Sequence, residues 1–212
     1  MTSFERGPAD GGTSFRHKAG QYLSFKLDVP EHGSQRRNYS ISSAPGEDHY
    51  RISVRRQDGG IASTWLHDSV KEGDILQVAN PAGDFFLNET NRNPLVFLTA
   101  GVGLTPGMSM LGELAQAHTD RSIRYVHGAD TQALAAFVTQ IEDFAKIDVL
   151  KADFFYSQES SPTNESVSGI TTHAGRISPD WLRQTLDRSA TNYICGPDSF
   201  KRRSAERRVG KG

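Results

Sequence analysis

Residues 94–106 read PLVFLTAGVGLTP, and this stretch predicts the fold of the second half of the chain. Its continuous apolar run is typical of a strand buried on both faces of a parallel sheet. Gly101 and Gly103 then let the backbone turn sharply and approach a ligand, and Thr105 with Pro106 is predicted to cap and begin a helix. A helix that begins at the carboxyl end of such a strand suits a nucleotide phosphate. Because Pro106 takes the third position of the Gly-x-Gly-x-x-Gly pattern, a plain strand-to-helix turn is the alternative.

The sequence after this turn alternates between helical and strand patterns. Such alternation predicts an α/β nucleotide-binding domain with a parallel sheet over residues 94–203. The polar stretch 157–168 is predicted to be a mobile loop. The remaining predicted elements are a helix marked by Met108, Leu111 and Leu114, strands at 123–127, 147–156 and 192–195, and helices at 134–141 and 179–186.

The first 87 residues have the pattern of β structure instead. Short strands at about ten-residue spacing predict a small antiparallel barrel over residues 1–90, interrupted by one helix at 62–70. The polar stretch 88–93 is the predicted boundary between the two domains. The strand signals are Leu23, Phe25, Leu27 and Val29 alternating with polar residues, a similar pattern at Tyr50–Val54, and the short run Ile75–Val78.

The segment Arg37-Asn-Tyr-Ser40 lies in one of these strands. A period of two places Arg37 and Tyr39 on the same face, so that a guanidinium stands beside an aromatic ring. Such a face suits a ligand with a phosphate next to a flat ring system, because arginine can bind two phosphate oxygens at once. A solvated arginine beside a cross-strand tyrosine is the structural alternative.

A second candidate site is Gly59-Gly-Ile-Ala-Ser-Thr-Trp-Leu66. Glycines before small hydroxyl residues at a helix start offer exposed backbone N–H groups to an anion. The alternative is an ordinary turn into a helix, with Ser63 or Thr64 serving only as its cap.

A third candidate site is Tyr193-Ile-Cys-Gly-Pro197, at the end of the last predicted strand. Cys195 would lie at the carboxyl edge of the sheet, beside a ligand bound there. A buried structural thiol is the alternative interpretation.

Composition narrows the functional classes. A formal net charge of −1 offers no basic surface for nucleic acid, and no apolar run is long enough to span a membrane. The single cysteine cannot form an internal disulfide, which favours a reducing cytoplasm. We expect no metal site, because the histidines and the cysteine show no zinc-type spacing. The N-terminal residues also lack the apolar segment of a secretory signal.

In this order and at these separations, the motifs resemble the ferredoxin–NADP⁺ reductase superfamily. Within it the chain most closely resembles the reductase module of flavohaemoglobins, which are nitric oxide dioxygenases. The resemblance covers roughly residues 4–203. Its matching stretches are Ala19–Leu23, Arg37–Ser42, Tyr50–Val54, Gly73-Asp74, Pro81–Phe85, Gly101–Pro106 and Tyr193–Pro197.

The resemblance implies a role for each matched position. Tyr39, Ser40 and Cys195 would be the catalytic residues, with Tyr39 against the isoalloxazine ring and Cys195 near the nicotinamide. Arg37 would bind the FAD pyrophosphate. The expected FAD contacts are Tyr22, Arg37, Asn38, Tyr39, Ser40, Gly60, Ile61, Ala62 and Ser63, and the expected NAD(P)H contacts are Gly101, Val102, Gly103, Leu104, Thr105, Pro106, Cys195, Gly196 and Pro197.

The implied activity is transfer of a hydride from NAD(P)H to FAD, followed by transfer of single electrons to an acceptor. In flavohaemoglobins the acceptor is a globin haem fused upstream, and we expect this chain to carry neither that globin nor haem. His127–Thr131 contains no Arg or Lys for a 2′-phosphate, which favours NADH over NADPH.

Two departures from the family pattern shape our expectations. The family's last helix and strand are missing, so we expect a C-terminally truncated nucleotide domain with impaired activity. Residues 204–212 are expected to be a non-native or disordered tail. The alternative functions are a stand-alone reductase component of an oxygenase and a non-catalytic nucleotide-binding remnant.

Overall fold

The computed structural model describes residues 1–8, 11–12, 15–88, 90–146, 148–161 and 169–205. The chain forms two compact units. The first contains Met1–Leu87 and Thr105–Glu113, and the second contains Asn88–Leu104 and the chain from Leu114 onward. The domain limits inferred from the sequence stay predictions. Within the described ranges, no helix has the length and apolar character needed to cross a membrane.

Antiparallel strands build the first unit, as predicted. In its described part, β2 pairs with β3 on one side and β5 on the other, while β1 pairs with β4. An isolated bridge between Ile41 and Ile52 joins the two sheets. The elements are β1 (Thr2–Arg6), β2 (Tyr22–Val29), β3 (Gly33–Ser40), β4 (Tyr50–Val54), α1 (Ile61–Asp68) and β5 (Gln77–Val78).

The alternating pattern of β2 creates the core of this unit. Leu23 and Phe25 are 1% and 2% exposed, and they pack with residues of β4 and α1 such as Ile52 and Leu66. Successive strand residues point to opposite faces, so one face of β2 is apolar and buried. The strand expected at Ile75–Val78 is shorter than predicted. Ile75 is 80% exposed and lies outside β5, because it does not pack against this core.

A parallel sheet dominates the second unit, also as predicted. Five strands of the described chain take the order β10-β6-β7-β8-β9, and every neighbouring pair is parallel. Strand β6, which has a neighbour on each side, is buried along nearly its whole length, in agreement with its continuous apolar run. The elements of this half are β6 (Leu95–Ala100), α2 (Leu104–Gln116), β7 (Ile123–Ala129), α3 (Val138–Ala145), β8 (Leu150–Tyr156), β9 (Ile170–Ala174), α4 (Pro179–Thr185), β10 (Thr191–Cys195) and α5 (Asp198–Ala205).

Most of helix α2 belongs to the first unit, although it follows β6 in the sequence. Ser109 Oγ donates a hydrogen bond of 2.6 Å to the carbonyl of Ser43, in the loop after β3. Gly112 lies so close to that loop that a Cβ there would come within 2.8 Å of Ala44 Cβ. Residues 105–113 therefore complete the packing of the first unit.

Several predicted elements differ in detail. The helix expected from 134 begins at Val138, because Phe137 takes a left-handed backbone conformation (φ 60°) and Leu134 is 62% exposed in a 3-10 turn. Strand β9 was not predicted. Of the predicted mobile loop, 162–168 lie outside the described residues. Of the predicted tail, 204–205 belong to α5 and 206–212 lie outside them.

A buried carboxylate ties the outer strands of the sheet together. Asp153 is 1% exposed, and its two oxygens lie 2.6 Å from Arg124 Nε and 2.8 Å from His173 Nε2. These partners come from β7 and β9, on either side of β8. The His173 ring also stacks on Phe155 at 4.3 Å and meets Trp181 of α4 edge-on. One side chain thus links three strands beneath a helix.

We predict that Asp153→Ala lowers the free energy of unfolding by about 2–4 kcal/mol, because it leaves two partly buried groups without their acceptor. Urea unfolding followed by fluorescence measures this change. Asp180→Ala is the control, since Asp180 forms an exposed ion pair with Arg183 and its loss should leave stability close to wild type. Equal stability of the two variants would contradict the assigned role of Asp153.

Candidate functional site

Strands β2 and β3 divide the candidate residues of the first unit between two faces. Register pairs Leu23 with Tyr39 and Phe25 with Arg37, whereas Tyr22 pairs with Ser40. Paired residues of antiparallel strands point to the same face. Arg37 and Tyr39 therefore share one face, as predicted, and Tyr22, Asn38 and Ser40 share the opposite face.

The Tyr39 ring is held at a fixed angle. It meets the buried Phe25 ring edge-on, with centroids 5.7 Å apart and planes at 66°. Partial burial raises the pKa of the Tyr39 hydroxyl, and the nearby charge of Arg37 opposes this effect. The phenol is therefore a neutral hydrogen-bonding group near pH 7.

Arg37 is an exposed cation whose hydrogen bonds go to neutral oxygens. Its guanidinium donates to the carbonyl of Arg36 (2.7 Å) and to Gln35 Oε1 (3.3 Å). Among the described residues, no carboxylate forms an ion pair with it. Its charge is therefore available to an anionic ligand. A dinucleotide bound at this strand would need such a cation for its phosphates.

On the opposite face, the Tyr22 ring lies against Gly83. A Cβ at position 83 would come within 2.8 Å of the ring, so a larger residue would displace the tyrosine. Backbone hydrogen bonds between Tyr22 and Ala82, of 2.9 and 3.0 Å, hold the two segments together. The sequence alone does not predict this role of Gly83, although the turn signal Pro81-Ala-Gly-Asp84 marks the segment. Ser24 Oγ donates to Asn38 Oδ1 on the same face (2.8 Å).

The segment Gly60–Ser63 forms the start of α1. The Ser63 hydroxyl accepts from the Gln57 N–H (3.1 Å) and donates to the Gly60 carbonyl (3.3 Å), so it stabilises the turn before the helix. Ala62 and Ser63 are buried, whereas Ile61 is exposed. A phosphate at this helix start would therefore bind to backbone N–H groups.

The turn at Gly101–Pro106 corrects one prediction. Gly101–Gly103 form a 3-10 turn that runs directly into α2, whose first residue is Leu104. Thr105 is therefore the second residue of the helix, and its predicted role as N-cap is wrong; Pro106 follows it as the third. The reason is Gly101, whose left-handed conformation (φ 54°) starts the helical turn immediately after β6.

The Gly101–Gly103 turn meets the segment Cys195–Pro197 at the carboxyl edge of the sheet. Strands β6 and β10 are neighbours, with Thr99 opposite Cys195. A Cβ at position 103 would lie 2.3 Å from the Cys195 carbonyl oxygen and 2.6 Å from the Gly196 nitrogen. Only glycine permits this approach. Two motifs that are far apart in the sequence therefore form one backbone-lined site, with Val102 48% exposed at its surface.

The Cys195 side chain at this site is a neutral thiol. Partial burial raises its pKa, while Lys201 and the Gly196 N–H act in the opposite direction. A protonated thiol is a poor nucleophile, so the raised pKa favours contact and packing over nucleophilic chemistry for Cys195. Pro197 ends the segment, and its carbonyl accepts from the N–H groups of Phe200 (2.9 Å) and Lys201 (3.0 Å) as α5 begins.

Comparison with protein families agrees with this architecture. Residues 11–87 match the family model described as "Oxidoreductase FAD-binding domain", and residues 97–206 match "Oxidoreductase NAD-binding domain". The chain belongs to this family of ferredoxin-reductase-type oxidoreductases, and its cofactors are FAD and NAD(P)H. The predicted family, fold class and cofactors are confirmed.

Among curated proteins, the chain is similar to flavohemoproteins. It is 41% identical to the flavohemoprotein of Xylella fastidiosa over 216 residues, which cover 100% of this chain and 52% of the relative. The flavohemoprotein of Deinococcus radiodurans is 42% identical over 211 residues, covering 94% of this chain and 50% of the relative. The chain thus spans about half the length of these relatives.

Solved structures give the same result. The flavohem-like FAD/NAD-binding domain of nitric oxide dioxygenase from Vibrio cholerae has a TM-score of 0.85 and 28% identity, covering 98% of this chain and 85% of that one. Flavohemoglobin from Malassezia yamatoensis, with bound FAD and heme, has a TM-score of 0.81 and 26% identity, covering 98% and 52%.

We predict that Gly103→Ala lowers kcat/KM for NADH by at least about tenfold, because the added methyl group forces the two site loops apart. Steady-state reduction of ferricyanide measures this loss. Gly128→Ala is a matched control in the same sheet, since its Cβ would lie at ordinary distances of 3.6 Å from Ile177 Cδ1 and 4.0 Å from Ala100 Cβ. Wild-type kinetics in Gly103→Ala would contradict the close approach.

Proposed function

We propose that this chain passes reducing equivalents from NADH through FAD to a globin haem, as the reductase part of a nitric oxide dioxygenase. The contact of Gly103 with Cys195–Gly196 carries the proposal, because it brings two backbone segments together at the carboxyl edge of a parallel sheet, where a nucleotide would bind. Electron transfer from NAD(P)H to FAD follows from the family. The globin acceptor is supported by the relatives' name, flavohemoprotein, and by the heme in the Malassezia structure.

The flavin side of the proposal depends on strands β2 and β3. Arg37, which has no carboxylate partner in the described chain, would bind the FAD pyrophosphate, and Tyr39 on the same face would lie against the ring system. Ser40 ends β3 on the opposite face and would contact the flavin from there. Tyr22, supported by Gly83, would contribute from the other face of the sheet. When bound, FAD accepts a hydride and releases electrons singly. The chain's own contribution is binding and orientation.

The nicotinamide side depends on the backbone-lined site. Gly101–Pro106 would receive the pyrophosphate of NADH, with N–H groups of the first helical turn as donors. Cys195–Pro197 would contact the nicotinamide, and the neutral Cys195 thiol would add no charge there. The lone half-buried thiol also supports a reducing cytoplasm as the location.

The first test is whether the purified chain contains extractable FAD that NADH bleaches.

We predict that Arg37→Ala raises the dissociation constant of FAD about 10- to 100-fold, because one charge-assisted phosphate contact is lost. Fluorescence titration of the flavin-free protein measures this constant.

Arg36→Ala is the matched control. Arg36 is also exposed and carries the same charge, but its side chain points to the opposite face of β3. An equal effect of both substitutions would show that Arg37 contributes only general positive charge. A flavin that stays oxidised in the presence of NADH would favour the non-catalytic alternative.

The preference for NADH is supported by acidic groups after β7 and β8. Asp130 accepts a hydrogen bond from Ser157 Oγ (3.0 Å), and Glu159 accepts one from the Gln132 N–H (2.7 Å). These carboxylates lie beyond the carboxyl ends of neighbouring strands, where a 2′-phosphate would need a cation. Two like charges there disfavour NADPH.

We predict that Asp130→Asn lowers the ratio of kcat/KM for NADH to that for NADPH about five- to tenfold, because one repulsive charge is removed. Kinetics with both nucleotides measure the ratio. Asp120→Asn removes the same charge from the loop that precedes β7, at the other end of the strands, and should leave the ratio unchanged. If both variants change the ratio equally, a general charge effect replaces our explanation.

A further inference from the structure

A buried polar cluster lies directly beneath the backbone-lined site. Thr99, Tyr125 and His127 are 2%, 0% and 2% exposed. The Thr99 hydroxyl oxygen lies 2.8 Å from His127 Nδ1, 3.2 Å from the Val126 carbonyl and 3.3 Å from the Tyr125 hydroxyl. We refer to Thr99, Tyr125 and His127 as the threonine cluster.

The hydrogen bonds around Thr99 indicate which nitrogen of His127 carries the proton. The single proton of the Thr99 hydroxyl is directed to the Tyr125 hydroxyl and the Val126 carbonyl. With the proton used in this way, the third bond forms when Thr99 accepts it and His127 Nδ1 carries the proton that is donated. The cluster thus selects the Nδ1–H tautomer.

The surroundings keep this histidine uncharged. Burial lowers the pKa of His127 to about 4, so the ring is neutral around pH 7. Its neighbours in the sheet are Thr99 on one side and Phe154 on the other, and the Phe154 ring meets it edge-on at 6.1 Å. Among the described residues no carboxylate forms an ion pair with it.

The position of Thr99 connects the cluster to the site. Thr99 lies opposite Cys195 in the register of β6 and β10, so it marks where both site loops leave the sheet. One residue further on, a Cβ at Gly196 would lie 3.2 Å from both Cβ and the carbonyl oxygen of Ala100. Small shifts of the strand ends would therefore change the spacing of the loops.

We propose that His127 is a positioning residue of the NADH site: its Nδ1–H holds the Thr99 hydroxyl and thereby the spacing of the two loops. This inference rests on the proposed function, because it assigns that site to NADH. His127 itself touches no reacting atom. Its effect passes through Thr99 to the backbone that binds the nucleotide.

The decisive variants are Thr99→Val and Thr99→Ser. Valine has the shape of threonine without the hydroxyl, whereas serine retains the hydroxyl. Thr99→Val should raise the dissociation constant of NAD⁺ about tenfold and lower kcat/KM for NADH to a similar extent. Thr99→Ser, which keeps the hydroxyl, should leave both the dissociation constant and kcat/KM within about twofold of wild type. Binding is measured by calorimetry on the flavin-loaded protein, and kinetics by ferricyanide reduction.

A readout independent of activity is the imidazole ¹⁵N spectrum of His127. The wild type should show the neutral Nδ1–H tautomer at pH 7, and Thr99→Val should lose it. A charged ring or the Nε2–H tautomer in the wild type overturns the proposal, even if Thr99→Val does not fold. A folded Thr99→Val with unchanged NAD⁺ affinity also overturns it.

The proposed function and the positioning role of His127 would be contradicted by different results. If the wild-type chain binds FAD but never oxidises NADH, the proposed function fails whatever the tautomer. If the wild type oxidises NADH while Thr99→Val loses thermal stability only, with unchanged NAD⁺ affinity and kcat/KM, the cluster is merely structural and the positioning role is wrong.

Discussion

The second unit depends on the contact between the Gly103 backbone and the strand end at Cys195. A Cβ at Gly103 would meet backbone atoms, which cannot move aside as a flexible side chain can. Because β6 and β10 are parallel neighbours, their loops leave the sheet at the same edge. The proposed ligand surface is therefore made mainly of peptide groups, and in our proposal the side chains below it, such as Thr99 and His127, determine where those groups lie.

In the first unit the candidate site consists of side chains instead of backbone groups. There the face of an antiparallel strand presents Arg37 and Tyr39 as side chains, and the ring of Tyr39 is braced by Phe25. The cation has neutral hydrogen-bond partners in the described chain, so an anion can approach it without displacing a carboxylate. In the proposed function, one unit would recognise phosphate by charge and the other by backbone geometry.

Local patterns predicted most of the fold. The alternation in β2 and the apolar run of β6 reflect burial that neighbouring residues already reveal. Thr105 was assigned wrongly because the start of α2 depends on the conformation of Gly101. The roles of Asp153 and His127 could not be predicted, since each depends on partners from other strands. The strand pairing that creates those partners is a property of the folded sheet.

The helical segment 105–113 has a consequence for how the protein is made. The ribosome completes all strands of the first unit before it reaches Ser109, whose hydroxyl bonds to the Ser43 carbonyl. During synthesis the loop at Ser43–Ala44 therefore stays uncovered until α2 has been made, and α2 follows β6, the first strand of the parallel sheet, in the sequence. A gene fragment that ends within residues 88–93 would lack this helical segment and would leave the Ser43–Ala44 loop exposed to water and to aggregation.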